Sequence, residues 1–199
     1  WALDLDVGAL AREARPGQFV HVRVPGLEQV SLRRPFSIFG ASDDGVLSLL
    51  YKTVGRGTSE MNRLAPGDPV QVIGPLGNGF PLEARGLPVL VAGGYGVAPL
   101  CFLAGRMARK GVVLIGGRSA DDVLCCEAFE RLGWTVKVAT QDGSCGEKGL
   151  VTVLLDQEIA RLKASGDAAE LYACGPDGML RAVGELAVDG CSLAAGSGA

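Results

Sequence analysis

The strongest constraint on the fold is a change of hydrophobic rhythm between residues 82 and 86. After this point, continuous apolar runs such as LPVLVAG alternate with segments of helical periodicity as far as residue 188. Strands that alternate with helices form parallel sheets covered by helices on both faces. The second half of the chain is therefore predicted to be an α/β domain. Its predicted strands are 87–93, 112–118, 134–140 and 170–175, and its predicted helices are 97–111, 121–133, 152–164 and 176–188.

The first half of the chain has the pattern of short antiparallel strands. GQFVHVRV alternates in period two and places Val20, Val22 and Val24 on one face. Turn sequences such as SDDG and APGD separate the apolar segments and indicate hairpins. This spacing predicts a small barrel. The further elements are strands at 30–39, 46–54 and 69–74 and a helix from Thr58, as its N-cap, to Leu64.

The whole chain is thus expected to be two-domain, with an N-terminal antiparallel β-barrel and a C-terminal α/β parallel sheet. The predicted domains are residues 1–85 and 86–190, followed by a terminal segment at 191–199. The total of 199 residues is compatible with two small domains.

Composition and charge exclude several classes of protein. The net charge is −3 with both signs mixed, and the absence of a basic run argues against a nucleic-acid partner. Six cysteines without a C-x-x-C pair indicate a reduced, cytoplasmic protein. Residues 86–105 carry no charge, but Pro88, Pro99 and the intervening glycines favour a strand, a turn and a helix over a membrane span.

Ligands of parallel α/β sheets bind at the carboxyl ends of the strands. One such end, AGGYGVAP, contains Gly93, Gly94 and Gly96, which leave two interpretations open: backbone approach to a phosphate, or a tight strand–helix turn. At another end, Arg118 is a candidate partner for a phosphate or a ribose. Cys174, in ACGPDGM, is either the lining of a nicotinamide pocket or a small buried filler.

The first half contains a second group of candidate binding residues, in RPFS. Arg34 can neutralise a diphosphate, Phe36 can pack on a flat ring and Ser37 can hydrogen-bond a ring nitrogen, demands that match a flavin. Strand alternation places Arg34 and Phe36 on one face and Ser37 on the other, so an exposed Arg, a core Phe and a solvent-facing Ser fit equally well. LLYKTVGRGTS adds a candidate phosphate-binding turn.

Six stretches, in the same order, resemble the ferredoxin–NADP reductase superfamily. They are PGQFVHVRV, RRPFSIFG, LLYKTVGRGTS, GDPVQVIGPLGNGF, VAGGYGVAPL and YACGPDGML, and together they cover nearly the whole chain. GPLGNGF and YKTVGRGT are similar more narrowly to the electron-transfer subunits of bacterial class 1B dihydroorotate dehydrogenase.

The resemblance implies an FAD-binding first domain, an NAD-binding second domain and a role for each candidate residue. Ser37 and Cys174 would lie beside the reacting rings and are the catalytic candidates. The implied FAD-binding residues are Arg34, Pro35, Phe36, Ser37, Leu50, Tyr51, Lys52, Gly57 and Thr58. The implied NAD(H)-binding residues are Gly94, Gly96, Arg118, Cys174, Gly175 and Met179.

The resemblance also implies an electron path. A hydride would pass from NADH to FAD, and single electrons would pass through a [2Fe–2S] cluster to a catalytic dihydroorotate dehydrogenase-type flavoprotein subunit in a hetero-oligomer of pyrimidine biosynthesis. The family holds its cluster with four cysteines. Here Cys191 stands alone, so we expect no metal ligand set in this chain, either because its ends are incomplete or because it is a homologue without a cluster.

Three further expectations concern the choice of coenzyme and the two alternative functions. Asp121 and Asp122 follow Arg118 closely and disfavour a bound 2′-phosphate, which predicts NADH over NADPH. An NADH-dependent flavin reductase subunit that serves another acceptor is the alternative within the same chemistry. A non-catalytic interaction module is the alternative from another class.

Overall fold

The computed structural model describes residues 1–24, 26–27 and 32–187, and the backbone of 192–195. The chain divides into two compact units, the first formed by residues 1–79 and the second beginning at Phe80.

The first unit is a five-stranded antiparallel sheet in the order β1-β4-β3-β2-β5. Two short helices, α1 (Ala9–Glu13) and α2 (Arg56–Met61), accompany it. Among the described residues β1 and β5 are not paired, so the sheet is a half-barrel. The strands are β1 (Ala2–Asp6), β2 (Phe19–Arg23), β3 (Arg34–Ala41), β4 (Val46–Leu50) and β5 (Gln71–Leu76).

Alternation in β2 sets the two faces of the half-barrel. Val20 and Val22 are fully buried, as the period-two pattern predicts. On the other face, the ring of His21 packs against that of Phe19 with centroids 5.5 Å apart. The single histidine therefore packs against a neighbouring aromatic ring on this face of the strand.

The second unit is a six-stranded parallel sheet in the order β11-β10-β6-β7-β8-β9, which confirms the predicted α/β class. Its strands are β6 (Leu87–Gly93), β7 (Val112–Gly117), β8 (Thr135–Thr140), β9 (Glu147–Lys148), β10 (Ala169–Cys174) and β11 (Ser192–Ala195). Its helices are α3 (Val97–Arg106), α4 (Cys126–Arg131), α5 (Val151–Ser165) and α6 (Asp177–Ala187).

The central strands of this sheet are buried on both faces, which explains their continuous apolar sequences. Val91 and Leu114 pack in one core cluster with α5 residues such as Leu155. Trp134, which precedes β8, is buried, and its indole N–H donates to the Ala104 carbonyl over 3.2 Å.

Several element predictions differ from the structure; among them, the predicted helix 97–111 ends at Arg106 and the predicted strand 46–54 ends at Leu50. The predicted N-cap Thr58 is instead the third residue of α2, whose N-cap is Gly55. The predicted helix 121–133 is interrupted: a 3-10 turn at Ala120–Asp122 ends at Val123, which has an extended backbone, and α4 begins at Cys126, after Cys125 with its left-handed φ of 65°. Cys125 is therefore not in mid-helix as expected. The predicted strand 30–39 starts at Arg34, and its positions 30 and 31 lie outside the described residues.

Four elements of the structure were not predicted from the sequence, namely β1, β9, β11 and α1. Within the described ranges, no helix has the length and apolar character needed to cross a membrane.

Candidate functional site

The first candidate region surrounds the N-terminal turn of α2. A Cβ added to Gly57 would lie 3.5 Å from Nε of Arg34, so the Arg34 side chain lies directly against this turn. Gly57 is buried whereas Arg34 is exposed. The absence of a side chain at 57 lets the guanidinium group approach the backbone, and together they can bind an anionic group.

Thr58 holds the loop that leads into this turn. Its hydroxyl oxygen accepts hydrogen bonds from the backbone N–H of Val54 over 2.9 Å and of Gly55 over 3.3 Å. The hydroxyl also lies 3.1 Å from the Gly55 carbonyl oxygen, to which it can donate. Thr58, on the first turn of α2, therefore stabilises the conformation of the glycine-containing loop that precedes the helix.

A second set of hydrogen bonds includes a residue that the sequence analysis missed. The hydroxyl of Tyr51 donates to Oδ1 of Asn62 over 2.8 Å, and Nδ2 of Asn62 donates to Oγ1 of Thr53 over 2.7 Å. Asn62 thus ties the end of α2 to the first residues of the loop that follows β4. Its only sequence signal is a polar side chain one residue after the apolar Met61.

The RPFS segment is divided between the two faces of β3. The ring of Phe36 packs edge-on against Tyr51 at 6.1 Å, and burial raises the pKa of Tyr51. Ser37 is paired with Phe19 of β2, and Pro35 is paired with His21. Pro35 and Ser37 therefore lie on the face of β3 opposite to α2. The predicted flavin-binding residues that lie together on the α2 side are Arg34, Phe36, Tyr51, Gly57 and Thr58.

Two other predicted flavin-binding residues flank Tyr51. Leu50 is the last residue of β4 and is half-buried. Lys52 follows the strand and is exposed, which places its ammonium group at the beginning of the loop.

The second candidate region is the carboxyl edge of the parallel sheet, where β10, β6 and β7 end side by side. Gly94 has φ 52°, and a Cβ built there would meet nothing within 4 Å. Its backbone is therefore accessible in a conformation that favours glycine.

Gly96 has a different physical reason to be glycine. A Cβ at this position would collide with the backbone carbonyl of Cys174 and would lie 2.8 Å from the backbone nitrogen of Gly175. The turns after β6 and β10 are therefore in direct backbone contact. Met179 extends the contact, since its Sδ would be 2.7 Å from a Cβ on Gly93 and its Cε 2.7 Å from a Cβ on Gly175.

We predict that Gly96→Ala will lower the free energy of unfolding by about 3 kcal/mol, because the methyl group cannot be accommodated without separating the two turns. Gly105→Ala is the matched control. It lies in α3 with nothing within 4 Å of its Cβ position, and alanine there should be neutral or stabilise by up to about 1 kcal/mol. Urea unfolding of both variants measures the difference, and equal stabilities would contradict the packing role of Gly96.

Cys174 closes β10 as a buried, neutral thiol. Its exposed fraction is 5%, and burial raises its pKa to about 11 from 9.0. At neutral pH it holds its proton and presents a small polarisable surface. This protonation state makes it unsuitable as a nucleophile or a base at pH 7.

The raised pKa of Cys174 predicts a loss of stability in alkaline solution. A pKa that is higher in the folded state gives a stabilising contribution that is complete below pH 9 and disappears as the pH rises towards 11. The size of the effect is about 3 kcal/mol. Urea unfolding at pH 8 and pH 10.5 should show a steeper loss for the wild type than for Cys174→Ala. Parallel losses in the two proteins would contradict the assignment.

Arg118 extends from the end of β7 and pairs with an acidic residue. Its Nε donates to Oδ2 of Asp122 over 3.2 Å, and its backbone N–H reaches the same oxygen over 3.3 Å. The Arg118 side chain is 78% exposed, whereas that of Asp122 is 13% exposed. The cation is therefore compensated by a carboxylate at the strand end where parallel α/β sheets bind the ribose of a dinucleotide.

The loop after β8 supports this strand end. The backbone N–H of Ala120 donates to Oγ of Ser144 over 2.7 Å, and that of Asp142 donates to the Arg118 carbonyl over 3.1 Å. The Ser144 hydroxyl and N–H also hydrogen-bond to the Asp142 carboxylate, which lowers the pKa of Asp142. Arg118 and Asp122 therefore lie on a segment anchored to the neighbouring strand.

No set of three or more His, Cys, Asp or Glu side chains that is able to hold a metal ion occurs in the part of the chain that the structure describes. Cys191, the cysteine that stands alone near the end of the sequence, lies outside the described residues.

Comparison with known families and proteins identifies the chain. Residues 90–185 match the family model of the oxidoreductase NAD-binding domain. The electron transfer subunit of dihydroorotate dehydrogenase B (NAD(+)) from Desulforamulus reducens is 40% identical over 189 residues, which cover 92% of this chain and 71% of that protein. The subunit of the same name from Bacillus caldolyticus is 41% identical over 186 residues, covering 89% and 70%.

Solved structures show the same fold. An NADH-dependent reduced ferredoxin-NADP oxidoreductase, described for flavin-based electron bifurcation, superposes with a TM-score of 0.82 at 27% identity, covering 98% of this chain and 70% of that chain. The ferredoxin reductase in carbazole 1,9a-dioxygenase has a TM-score of 0.76 at 20% identity, covering 92% and 60%, and supports the fold alone. On the strength of its curated relatives, the chain belongs to the family of electron transfer subunits of dihydroorotate dehydrogenase B.

Proposed function

We propose that the chain carries electrons between NAD(H) and the catalytic subunit of a dihydroorotate dehydrogenase, with FAD bound to the first unit and NAD(H) bound to the second. The observation that carries this proposal is the 40% identity to a named electron transfer subunit across 92% of the chain. The chain divides into two compact units after Gly79, close to the boundary at 85 predicted from the sequence, and this division supports the proposal of one cofactor-binding domain in each unit.

The residues of the first unit fit a flavin dinucleotide. The contact between Arg34 and Gly57 leaves a cation beside bare backbone, which suits a diphosphate. Thr58 keeps the loop from residue 54 to 57 in shape for that contact. When bound, FAD accepts two electrons from a nicotinamide and releases them singly. In this proposal, the residues of the first unit bind the FAD and orient its ring system.

Ser37 has a separate proposed role, because it lies on the opposite face of β3 from Arg34. We assign its hydroxyl to a hydrogen bond with the flavin ring system and Pro35 to apolar contact with it. Phe36 and Tyr51 support the binding strand from the core side through their edge-on packing. Leu50 and Lys52 border the same loop and complete the proposed FAD site.

The residues of the second unit fit a pyridine dinucleotide. The open backbone at Gly94 can approach a phosphate, and Gly96, Gly175 and Met179 hold that turn against the end of β10. Cys174 lines the proposed nicotinamide position as a neutral thiol. Arg118 and Asp122 lie where the adenosine ribose binds in α/β sheets, and their pairing supports NADH over NADPH.

The described residues contain no group of three or more His, Cys, Asp or Glu side chains that could hold a metal ion. The family expectation of a [2Fe–2S] centre stays a prediction for spectroscopy of the whole gene product.

A test of the acceptor uses the whole gene product and the catalytic dihydroorotate dehydrogenase subunit of the same organism. We expect the two to purify as a complex that reduces NAD⁺ when dihydroorotate is added. Each subunit alone should fail to do so. Reduction of the chain's flavin by NADH without complex formation would instead favour a different acceptor, an outcome to which the likeness to a ferredoxin-NADP oxidoreductase points.

A further inference from the structure

The turn of residues 118–122, which follows β7, is held by the loop that follows β8. Its first residue is attached through the backbone, because the N–H of Asp142 donates to the Arg118 carbonyl over 3.1 Å. The N–H of Gln141 makes the same kind of bond to the Gly117 carbonyl. These two bonds continue the parallel pairing of β7 with β8 past the ends of both strands. This part of the attachment therefore does not depend on the side chains of the loop.

The middle of the turn is attached through a side chain. Oγ of Ser144 accepts a hydrogen bond from the N–H of Ala120 over 2.7 Å. The same hydroxyl donates to Oδ1 of Asp142 over 2.6 Å, and the Ser144 N–H donates to that oxygen over 2.9 Å. Hydrogen bonds to an ionised acceptor are short and strong. The carboxylate therefore fixes the direction of the serine proton and leaves the hydroxyl oxygen free to accept from Ala120.

The turn is compact, so a displacement at its middle is transmitted to both of its ends. A Cβ on Gly117 would lie 3.0 Å from the Ser119 carbonyl oxygen and 3.1 Å from Cβ of Asp122, which shows that the turn folds back against the end of β7. The N–H of Asp122 also donates to the Ser119 carbonyl over 3.0 Å. A shift of Ala120 would therefore move the Asp122 carboxylate, which binds Nε of Arg118 at 3.2 Å.

We propose that Ser144 is a positioning residue for the coenzyme, which holds the turn of Arg118 and Asp122 in the conformation that binds the adenosine ribose of NAD(H). This inference rests on the proposed function, because it requires a pyridine dinucleotide at the carboxyl edge of the parallel sheet. Ser144 acts through the backbone of Ala120, and Asp142 acts through Ser144 by orienting its hydroxyl group. Loss of the hydroxyl group therefore weakens coenzyme binding and leaves the rate of hydride transfer from bound NADH unchanged.

Calorimetry of the purified full chain with ADP-ribose tests this role without turnover, because the probe has the adenosine and diphosphate of NAD(H) but no nicotinamide. We expect Ser144→Ala to bind ADP-ribose about three- to tenfold more weakly than the wild type, which is the range for one net hydrogen bond. Ser144→Thr keeps the hydroxyl group and should bind within about twofold of the wild type. In the FAD-reconstituted chain, Ser144→Ala should raise the NADH concentration that gives half-maximal flavin reduction and leave the maximal rate unchanged.

The role of Asp142 is tested by a double-mutant cycle. Asp142→Ala should weaken ADP-ribose binding in the same direction as Ser144→Ala, and the double variant should bind no more weakly than Ser144→Ala alone. This result is expected because residues that act through one hydrogen-bond network are not additive. Additive losses would show that Asp142 does not act through the serine. Asp142→Ala also tests the turn if Ser144→Ala does not fold.

Ser165→Ala is the control for the loss of a serine hydroxyl group. The Ser165 hydroxyl also donates to a carboxylate two residues away, that of Asp167 over 2.7 Å, but it lies at the end of α5. We expect this variant to bind ADP-ribose as the wild type does. Wild-type affinity in Ser144→Ala, or equal weakening in both variants, would overturn the inference and leave the proposed function intact. A wild-type chain that binds neither ADP-ribose nor NADH would overturn both.

Discussion

Arg34→Ala is expected to weaken FAD binding by about tenfold to a hundredfold. The guanidinium group lies against the glycine turn of α2, with Nε 3.5 Å from the position that a Cβ on Gly57 would occupy. Hydrogen bonds to charged groups contribute about 1.5 to 3 kcal/mol, and each 1.4 kcal/mol changes an equilibrium tenfold. Quenching of flavin fluorescence on titration of the apoprotein with FAD measures the dissociation constant directly.

Arg33→Ala is the matched control for this prediction. Arg33 is adjacent in sequence and carries the same charge, but its guanidinium group donates to the backbone and side-chain oxygens of Gln71 on β5. We expect its removal to change the FAD dissociation constant less than threefold. If Arg34→Ala retained flavin as well as the wild type, or if both variants lost it equally, Arg34 would not be the diphosphate-binding residue.

Asp122→Asn is expected to raise the preference for NADPH relative to NADH by about tenfold. In the wild type, the carboxylate holds the exposed Arg118 side chain at 3.2 Å and adds a negative charge where a 2′-phosphate would bind. The amide removes that charge and leaves the guanidinium group available to a phosphate. The ratio of kcat/KM values for the two coenzymes measures the change.

Asp121→Asn provides the control with the same loss of charge one residue away. Asp121 is exposed on the same short turn, and the carboxylate that binds Arg118 is that of Asp122. We expect the control to change the ratio less than threefold. Calorimetry with adenosine 2′,5′-bisphosphate and 5′-AMP tests the same site without turnover. An unchanged preference in Asp122→Asn would show that the Arg118–Asp122 pair does not select the coenzyme.

The elements that could be predicted from the sequence are those whose burial leaves a periodic signal. The strands β6, β7, β8 and β10 are apolar because helices cover both faces of the sheet, and their predicted bounds agree with the structure within about one residue at each end. The alternating valines of β2 were equally clear, because only one face of the half-barrel is covered. Short edge strands such as β9 bury little surface and left no such pattern.

The mistakes arose where local backbone geometry overrides composition. Val123 has an extended backbone and Cys125 a left-handed one, so α4 begins only at Cys126, and no periodic signal in the sequence reports such single backbone angles. Threonine is a favourable residue at the N-cap of a helix, but the N-cap of α2 is Gly55. Thr58 is the third residue of the helix, and its side chain hydrogen-bonds to the backbone of Gly55. Asn62 was missed because its hydrogen bonds join residues that only the fold brings together.

Glycines show the same limit at the candidate site. The sequence GGYG is compatible with close approach to a ligand and with a tight turn, and in the structure its glycines have different environments. Gly94 has open space around it, whereas Gly96 is required by the Cys174 carbonyl. The pairing of Arg118 with Asp122 was likewise present in the sequence only as two opposite charges four residues apart.

The most direct test of the central claim is an anaerobic titration of the purified, FAD-reconstituted chain with NADH, followed by its visible absorption spectrum. We expect a flavin band that bleaches fully with about one NADH per flavin, because one hydride carries the two electrons that reduce the flavin. A chain that binds no FAD on reconstitution, or whose bound flavin keeps its oxidised spectrum with excess NADH, would contradict the proposed electron transfer function.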